Sequence, residues 1–142
     1  MISNILAMDL GRSSLGLAIS RSGILASTLT NIHFKMDDYD DCIKKLMEVI
    51  KFEKIEHIVM GLPLYPSGDR CEMTPIVENF LEKIKPLFPN CDFIYQDERD
   101  STLEASEILH DNNQTAKKQK KTIDSHAALV ILERYLRKIN QI

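Results

Sequence analysis

Three acidic residues stand where an apolar neighbourhood makes a carboxylate costly. Asp9 interrupts the run Ile5-Leu6-Ala7-Met8-Asp9-Leu10. Glu98 lies in Asp97-Glu98-Arg99, directly after Asp92-Phe93-Ile94-Tyr95-Gln96. Asp124 opens the stripe Asp124, Ala128, Ile131 and Tyr135, spaced i, i+4, i+7, i+11 on one face of a helix. A lone buried carboxylate is expensive unless it is paired, hydrogen-bonded or bound to a metal. Each acid also has a plainer reading. Asp9 can cap the turn after its strand, Asp124 can answer a helix dipole, and Asp97-Glu98-Arg99 can be an ordinary charged loop. Taken together, three converging carboxylates repel one another, and a divalent cation with a preference for hard oxygen ligands removes that repulsion.

Two further features accompany the acids. Lys117-Lys118-Gln119-Lys120-Lys121 places four positive charges in five residues just before Asp124. As a solvated loop it would be unremarkable; beside a metal-binding acid it would supply phosphate contacts. Gly61-Leu62-Pro63 ends a short apolar run, where glycine allows close backbone approach and proline fixes the turn. His33, His57, His110 and His126 have no zinc-ligand spacing. No serine sits in a nucleophile elbow, and no Walker A loop is present.

The elements that must position these residues follow from periodicity. The segments 5–10, 15–19 and 23–34 are separated by Gly11-Arg12-Ser13-Ser14 and Arg21-Ser22-Gly23, and predict three strands in an antiparallel meander. From Asp37, the positions Tyr39, Cys42, Ile43, Leu46, Met47 and Ile50 predict an amphipathic helix. His57 to Pro63 predicts a buried strand. Met73, Ile76, Val77, Phe80, Leu81 and Ile84 predict a second helix, ended by Pro86 and Pro89. Residues 92–96 predict a fifth strand. Ser101 and Glu104 form a capping box for a short third helix. Residues 111–121 are polar and basic, and a last helix is expected over 122–138. The methionines are expected to fill core space. The fold class is therefore α/β: a mixed five-stranded sheet, with an antiparallel meander plus two parallel strands, flanked by helices.

The chain has 142 residues, of which 44% are hydrophobic and 27% charged, which suits one domain over 1–142. No apolar run approaches the roughly 18 residues of a membrane span. The first residues lack the basic region of a signal peptide. The net charge of −3 argues mildly against nucleic acid, but phosphate contact depends on the local lysine patch. Cys42, Cys71 and Cys91 are odd in number and widely spaced, as expected in a reducing cytoplasm.

Four motifs in order resemble the YqgF/RuvX family. Met8-Asp9-Leu10-Gly11 through Gly16-Leu17-Ala18-Ile19-Ser20 is similar to its D-x-G-x(4)-G-x-A-x-S opening. Val59-Met60-Gly61-Leu62-Pro63 is similar to V-x-G-L-P. Asp97-Glu98-Arg99, with Ser101-Thr102 and Glu104-Ala105, resembles D-E-R-x-S/T-T-x-E-A. The lysine run leading into Ile123-Asp124 and Ala127-Ala128 resembles its closing basic run and I-D-x-x-A-A. The resemblance implies an RNase H-like fold, related to the RuvC junction resolvases. It also implies a cytoplasmic nuclease for pre-16S rRNA or a Holliday junction resolvase. One departure is that Gly11-Arg12-Ser13 stands where the family usually has G-T-K, so Arg12 would replace that charge one position earlier and Ser13 would stand in for the basic residue.

On this reading Asp9, Glu98 and Asp124 are the catalytic acids and would hold one or two Mg²⁺ or Mn²⁺ ions, about 3.5–4 Å apart in a two-metal site, for water attack on a phosphodiester. Arg99 would orient the acids or contact the scissile phosphate. Arg12, Lys117, Lys118, Lys120 and Lys121 would hold flanking phosphates. The expected partner is nucleic acid, as structured RNA, pre-16S rRNA or branched DNA, with the ribosome a further candidate and no membrane. The protein would act as a monomer or a homodimer. Two rivals are a small actin-like ATP-binding module, for which 142 residues are too few for the usual two lobes, and a non-catalytic RNA- or ribosome-binding factor.

Overall fold

The computed structural model describes residues 2–97 and 116–140, with side chains in the second segment described from residue 126. Three strands come first, β1 (Ile5–Leu10), β2 (Ser14–Ser20) and β3 (Ser27–His33). Helix α1 (Tyr39–Ile50), β4 (His57–Leu62), α2 (Met73–Ile84), β5 (Asp92–Asp97) and α3 (Ala116–Ile139) follow. The sheet order is β3-β2-β1-β4-β5. β1 pairs antiparallel with β2 and parallel with β4, β2 pairs antiparallel with β3, and β4 pairs parallel with β5. The mixed sheet expected from the hydrophobic pattern is the one observed, with β1 at its centre.

Both faces of the sheet are covered, which is why β1 and β4 read as continuous apolar runs. Leu6, Met8 and Leu10 of β1 join Leu15, Leu17, Ile58 and Met60 beneath α1 and α2, whose Cys42, Leu46, Val77, Phe80 and Leu81 fill this layer. Ile5, Ala7, Ala18 and Val59 form the other face, closed by Ala128, Ile131, Leu132 and Tyr135 of α3. The strand period of two and the helix period of 3.6 thus meet in two cores.

Local chemistry fixes the joints. Asp38 caps α1, its side chain accepting from the Asp41 N–H at 3.2 Å. After α2, a 3₁₀ turn at Lys85–Leu87 carries Pro86, which cannot continue the helix. The β2–β3 turn needs glycine: Gly23 has φ +83°, and a Cβ there would sit 1.9 Å from the Ile2 carbonyl oxygen. Asn140, just past α3, donates from Nδ2 to the Gly23 carbonyl at 2.9 Å, tying the end of α3 to the end of the sheet where β1 begins.

The boundaries differ from expectation most at β3, α1 and α3. β3 starts at Ser27 because residues 22–25 are a turn, with the Ser22 hydroxyl accepting from the Ile24 and Leu25 N–H groups, each at 3.0 Å. α1 starts at Tyr39, since Asp37 has φ +64° and is not helical. α3 starts at Ala116, six residues before Thr122, so the basic run 117–121 lies on the helix and not in a loop; alanine, lysine and glutamine are all good helix formers. Among the methionines, Met8 and Met60 are fully buried, while Met36 is 65% exposed and fills no core. The short helix expected at Ser101 to Glu104 lies outside the described residues.

Candidate active site

Asp9 lies at the carboxyl end of the central strand, half-buried. Strand alternation puts it on the face of Ile5 and Ala7, the face that α3 covers. Its partner across the β1–β2 ladder is Gly16, and Gly16 in turn opposes Asn31 on β3. On the other side, Met8 pairs with Met60, so the next residue, Gly61, continues the same row and opposes Gln96 on β5. The row therefore reads Asn31, Gly16, Asp9, Gly61, Gln96. Asp9 has a glycine on each side, and the nearest side chains along the row stand two strands away, about 10 Å at ordinary strand spacing. The Gln96 side-chain oxygen is buried with no hydrogen-bond partner among the described residues. Asn31 and Gln96 were not anticipated from sequence. Their place beside Asp9 comes from cross-strand register, which periodicity along one strand does not show.

α3 brings its first half to this end of the sheet. Its last turn is anchored at Gly23, and from there to position 124 the helix rises about 24 Å. β1 needs only about 13 Å from Ile5 to Asp9. Position 124 precedes Ala128 by one turn, so its backbone belongs to the half of α3 nearest Asp9. The side chains of Asp124, Lys117, Lys118, Lys120 and Lys121 lie outside the described residues. Glu98 and Arg99 follow Asp97, the last residue of β5, and also lie outside them. Among the described residues, no group of three histidines, cysteines or carboxylates converges on a metal-sized site. Asp9 itself offers the hard oxygen donors that Mg²⁺ or Mn²⁺ takes.

Gly61-Leu62-Pro63 has a structural part to play. The Pro63 carbonyl accepts from the Thr74 hydroxyl at 2.6 Å, and that hydroxyl accepts from the Cys71 N–H at 2.9 Å. The carboxyl end of β4 is thereby tied to the start of α2. The Cys71 thiol is held below its usual pKa, first by its hydrogen bond with Thr74.

Arg12 sits in the β1–β2 turn, three residues past Asp9. Its Nε donates to Asp37 Oδ1 at 3.0 Å and its Nη2 to Oδ2 at 2.8 Å. The Asp37 N–H also donates to the Arg12 carbonyl at 2.8 Å. Arg12 hydrogen bonding holds the Asp37 carboxyl below the usual carboxylate range, and Asp37 raises the guanidinium in return.

A mixed sheet in the order β3-β2-β1-β4-β5, with an acid at the carboxyl end of central β1 and a long final helix over that face, is an RNase H-like fold. The chain belongs to the RuvX family, whose sequence profile, described as Holliday junction resolvase, matches residues 3–138. A protein of Mycoplasma capricolum subsp. capricolum, named "Putative pre-16S rRNA nuclease", is 40% identical over 140 residues, covering 96% of this chain and 96% of its own. One of the same name from Onion yellows phytoplasma is 36% identical over 131 residues, covering 92% and 87%. Among solved structures, the yeast mitochondrial Holliday junction resolvase shares the fold with a TM-score of 0.50 at 11% identity, covering 96% of this chain and 81% of the other. No helix among the described residues is long and apolar enough to cross a membrane.

Proposed function

We propose that this protein is a metal-dependent endonuclease of the cytoplasm that hydrolyses phosphodiesters in the 5′ leader of pre-16S rRNA during ribosome biogenesis. The observation that carries the reading is Asp9: a carboxylate at the carboxyl end of the central strand, flanked by Gly16 and Gly61, on the face covered by α3. The relatives named for pre-16S rRNA support the substrate.

Asp9, Glu98 and Asp124 would hold one or two Mg²⁺ or Mn²⁺ ions. When bound, such an ion supplies charge neutralisation at the phosphate and a more acidic water. The chain does the rest. Gly16 and Gly61 put no side chain beside Asp9. Arg99 orients the acids or contacts the scissile phosphate, and Arg12 and the lysines of 117–121 hold flanking phosphates, so their contribution falls as salt rises.

A second reading, resolution of four-way DNA junctions, is supported by the description of the family profile. One experiment separates the two. Purified protein is given a labelled pre-16S 5′ leader and a synthetic four-way DNA junction, each with Mg²⁺, Mn²⁺ or EDTA. Metal-dependent cutting of the RNA alone supports the proposal. Junction cutting moves the protein to the resolvase reading and predicts a dimer, because two strands must be cut. Binding without cutting of either substrate makes it a non-catalytic RNA-binding factor.

A further inference from the structure

Arg12 and Asp37 are joined by three hydrogen bonds: the two from the guanidinium and one between their main chains. The surrounding turn is latched in the same way. The Phe34 N–H donates to the Ser13 carbonyl at 3.0 Å, the Gly11 N–H to the Ser14 carbonyl at 2.8 Å, and the Tyr39 hydroxyl to the Gly11 carbonyl at 3.3 Å. Asp37 takes φ +64°, a conformation few non-glycine residues adopt and one that tends to be kept where it serves a purpose. Yet both side chains of the pair are about half-exposed, 52% for Arg12 and 47% for Asp37. A pair so exposed adds little to stability, so so much local fixing needs another account.

The stereochemistry supplies one. A guanidinium has five N–H donors, and Asp37 uses two of them, on the Nε–Nη2 edge. The outer Nη1–Nη2 edge keeps the fork that matches two oxygens of a phosphate. A free arginine would have to freeze its long side chain on binding; this one is already held. We infer that Asp37 is a positioning residue that fixes Arg12 so that its outer edge receives a backbone phosphate of the nucleic acid. This rests on the nucleic-acid reading above, and it assigns to an acidic residue a supporting role in binding an anion.

The sign of the effect makes the inference easy to overturn. Removing a negative charge from a nucleic-acid site should by itself tighten binding; here Asp37→Asn should weaken it. Asparagine tolerates the left-handed backbone, and a cooperative thermal transition close to that of wild type would show that the variant is folded. The measurement is the Kd for the labelled leader RNA in EDTA, where no cutting occurs, across a range of salt. Asp37→Asn should weaken binding about three- to ten-fold with an unchanged salt slope, since Arg12 keeps its charge. Arg12→Ala should weaken it at least as much and reduce the slope by about 0.7–0.9, one phosphate contact. In an Arg12→Ala background, Asp37→Asn should add no further loss. Tighter or unchanged binding by Asp37→Asn, or the same loss with and without Arg12, overturns the inference alone. Failure of the wild-type protein to bind either RNA or junction DNA overturns the nucleic-acid reading and this inference with it.

Discussion

Ala7 on β1 stands directly opposite Ala18 on β2, and both are fully buried under α3. Ala128 answers them from the helix side, also buried. Small residues on both surfaces let α3 lie close to the sheet, which sets the height of its first half over Asp9. Ala128→Leu should therefore overpack this layer and destabilise the fold by about 1–3 kcal/mol. Urea denaturation would read that loss. Activity should fall by more than the unfolded fraction explains, because the helix is lifted from the site.

At Gly23 the constraint is the backbone itself. Gly23→Ala places a methyl group against the Ile2 carbonyl in a left-handed conformation. The expected loss exceeds about 1 kcal/mol, from strain that alanine cannot relieve. A fall of several degrees in thermal midpoint, with cleavage per folded molecule unchanged, is the predicted pattern, since Gly23 lies at the end of the sheet remote from Asp9.

The Arg12–Asp37 pair carries a pH signature. Asp37 has a depressed folded-state pKa, caused first by Arg12 hydrogen bonding, against an ordinary value of 3.8. A depressed acid stabilises the fold above its unfolded pKa, and that contribution is lost as pH falls through the folded value. The difference in urea midpoint between wild type and Asp37→Asn should thus be level from pH 8 to 5 and shrink below about pH 4. It should also be small and reduced by salt, because the pair is exposed.

The cysteines should differ sharply in reactivity, and all three are free. Burial pushes the Cys42 thiol up to about 12, and raises Cys91 less. Cys71 alone is lowered, chiefly by Thr74. Brief alkylation with iodoacetamide at pH 8, read by mass spectrometry, should label Cys71 first, Cys91 slowly and Cys42 only on unfolding.

The sheet was legible in the sequence because β1, β2 and β4 are apolar runs bounded by glycine, serine and proline, and both helices on the other face keep a clear 3.6 period. The start of α3 was not, because a run of lysines has no apolar stripe to reveal a helix; propensity alone carries it there. Asp9 stood out as a charge in an apolar strand, and the structure puts it on the α3 face. Arg12 was legible only as a nearby charge. Its link to Asp37 spans 25 residues and depends on a left-handed residue that sequence periodicity does not register. Asn31 and Gln96 were hidden for a related reason: their place in the Asp9 row comes from cross-strand register, which is a tertiary property.

The central claim is that Asp9 is a catalytic carboxylate. The direct measurement is cleavage of the labelled pre-16S leader in Mg²⁺ by wild-type protein and by Asp9→Asn, alongside their thermal midpoints. The account predicts at least about a hundredfold loss of cleavage in the variant, while the thermal transition shows that the variant is still folded. An Asp9→Asn protein that is folded and cuts at the wild-type, metal-dependent rate would contradict it.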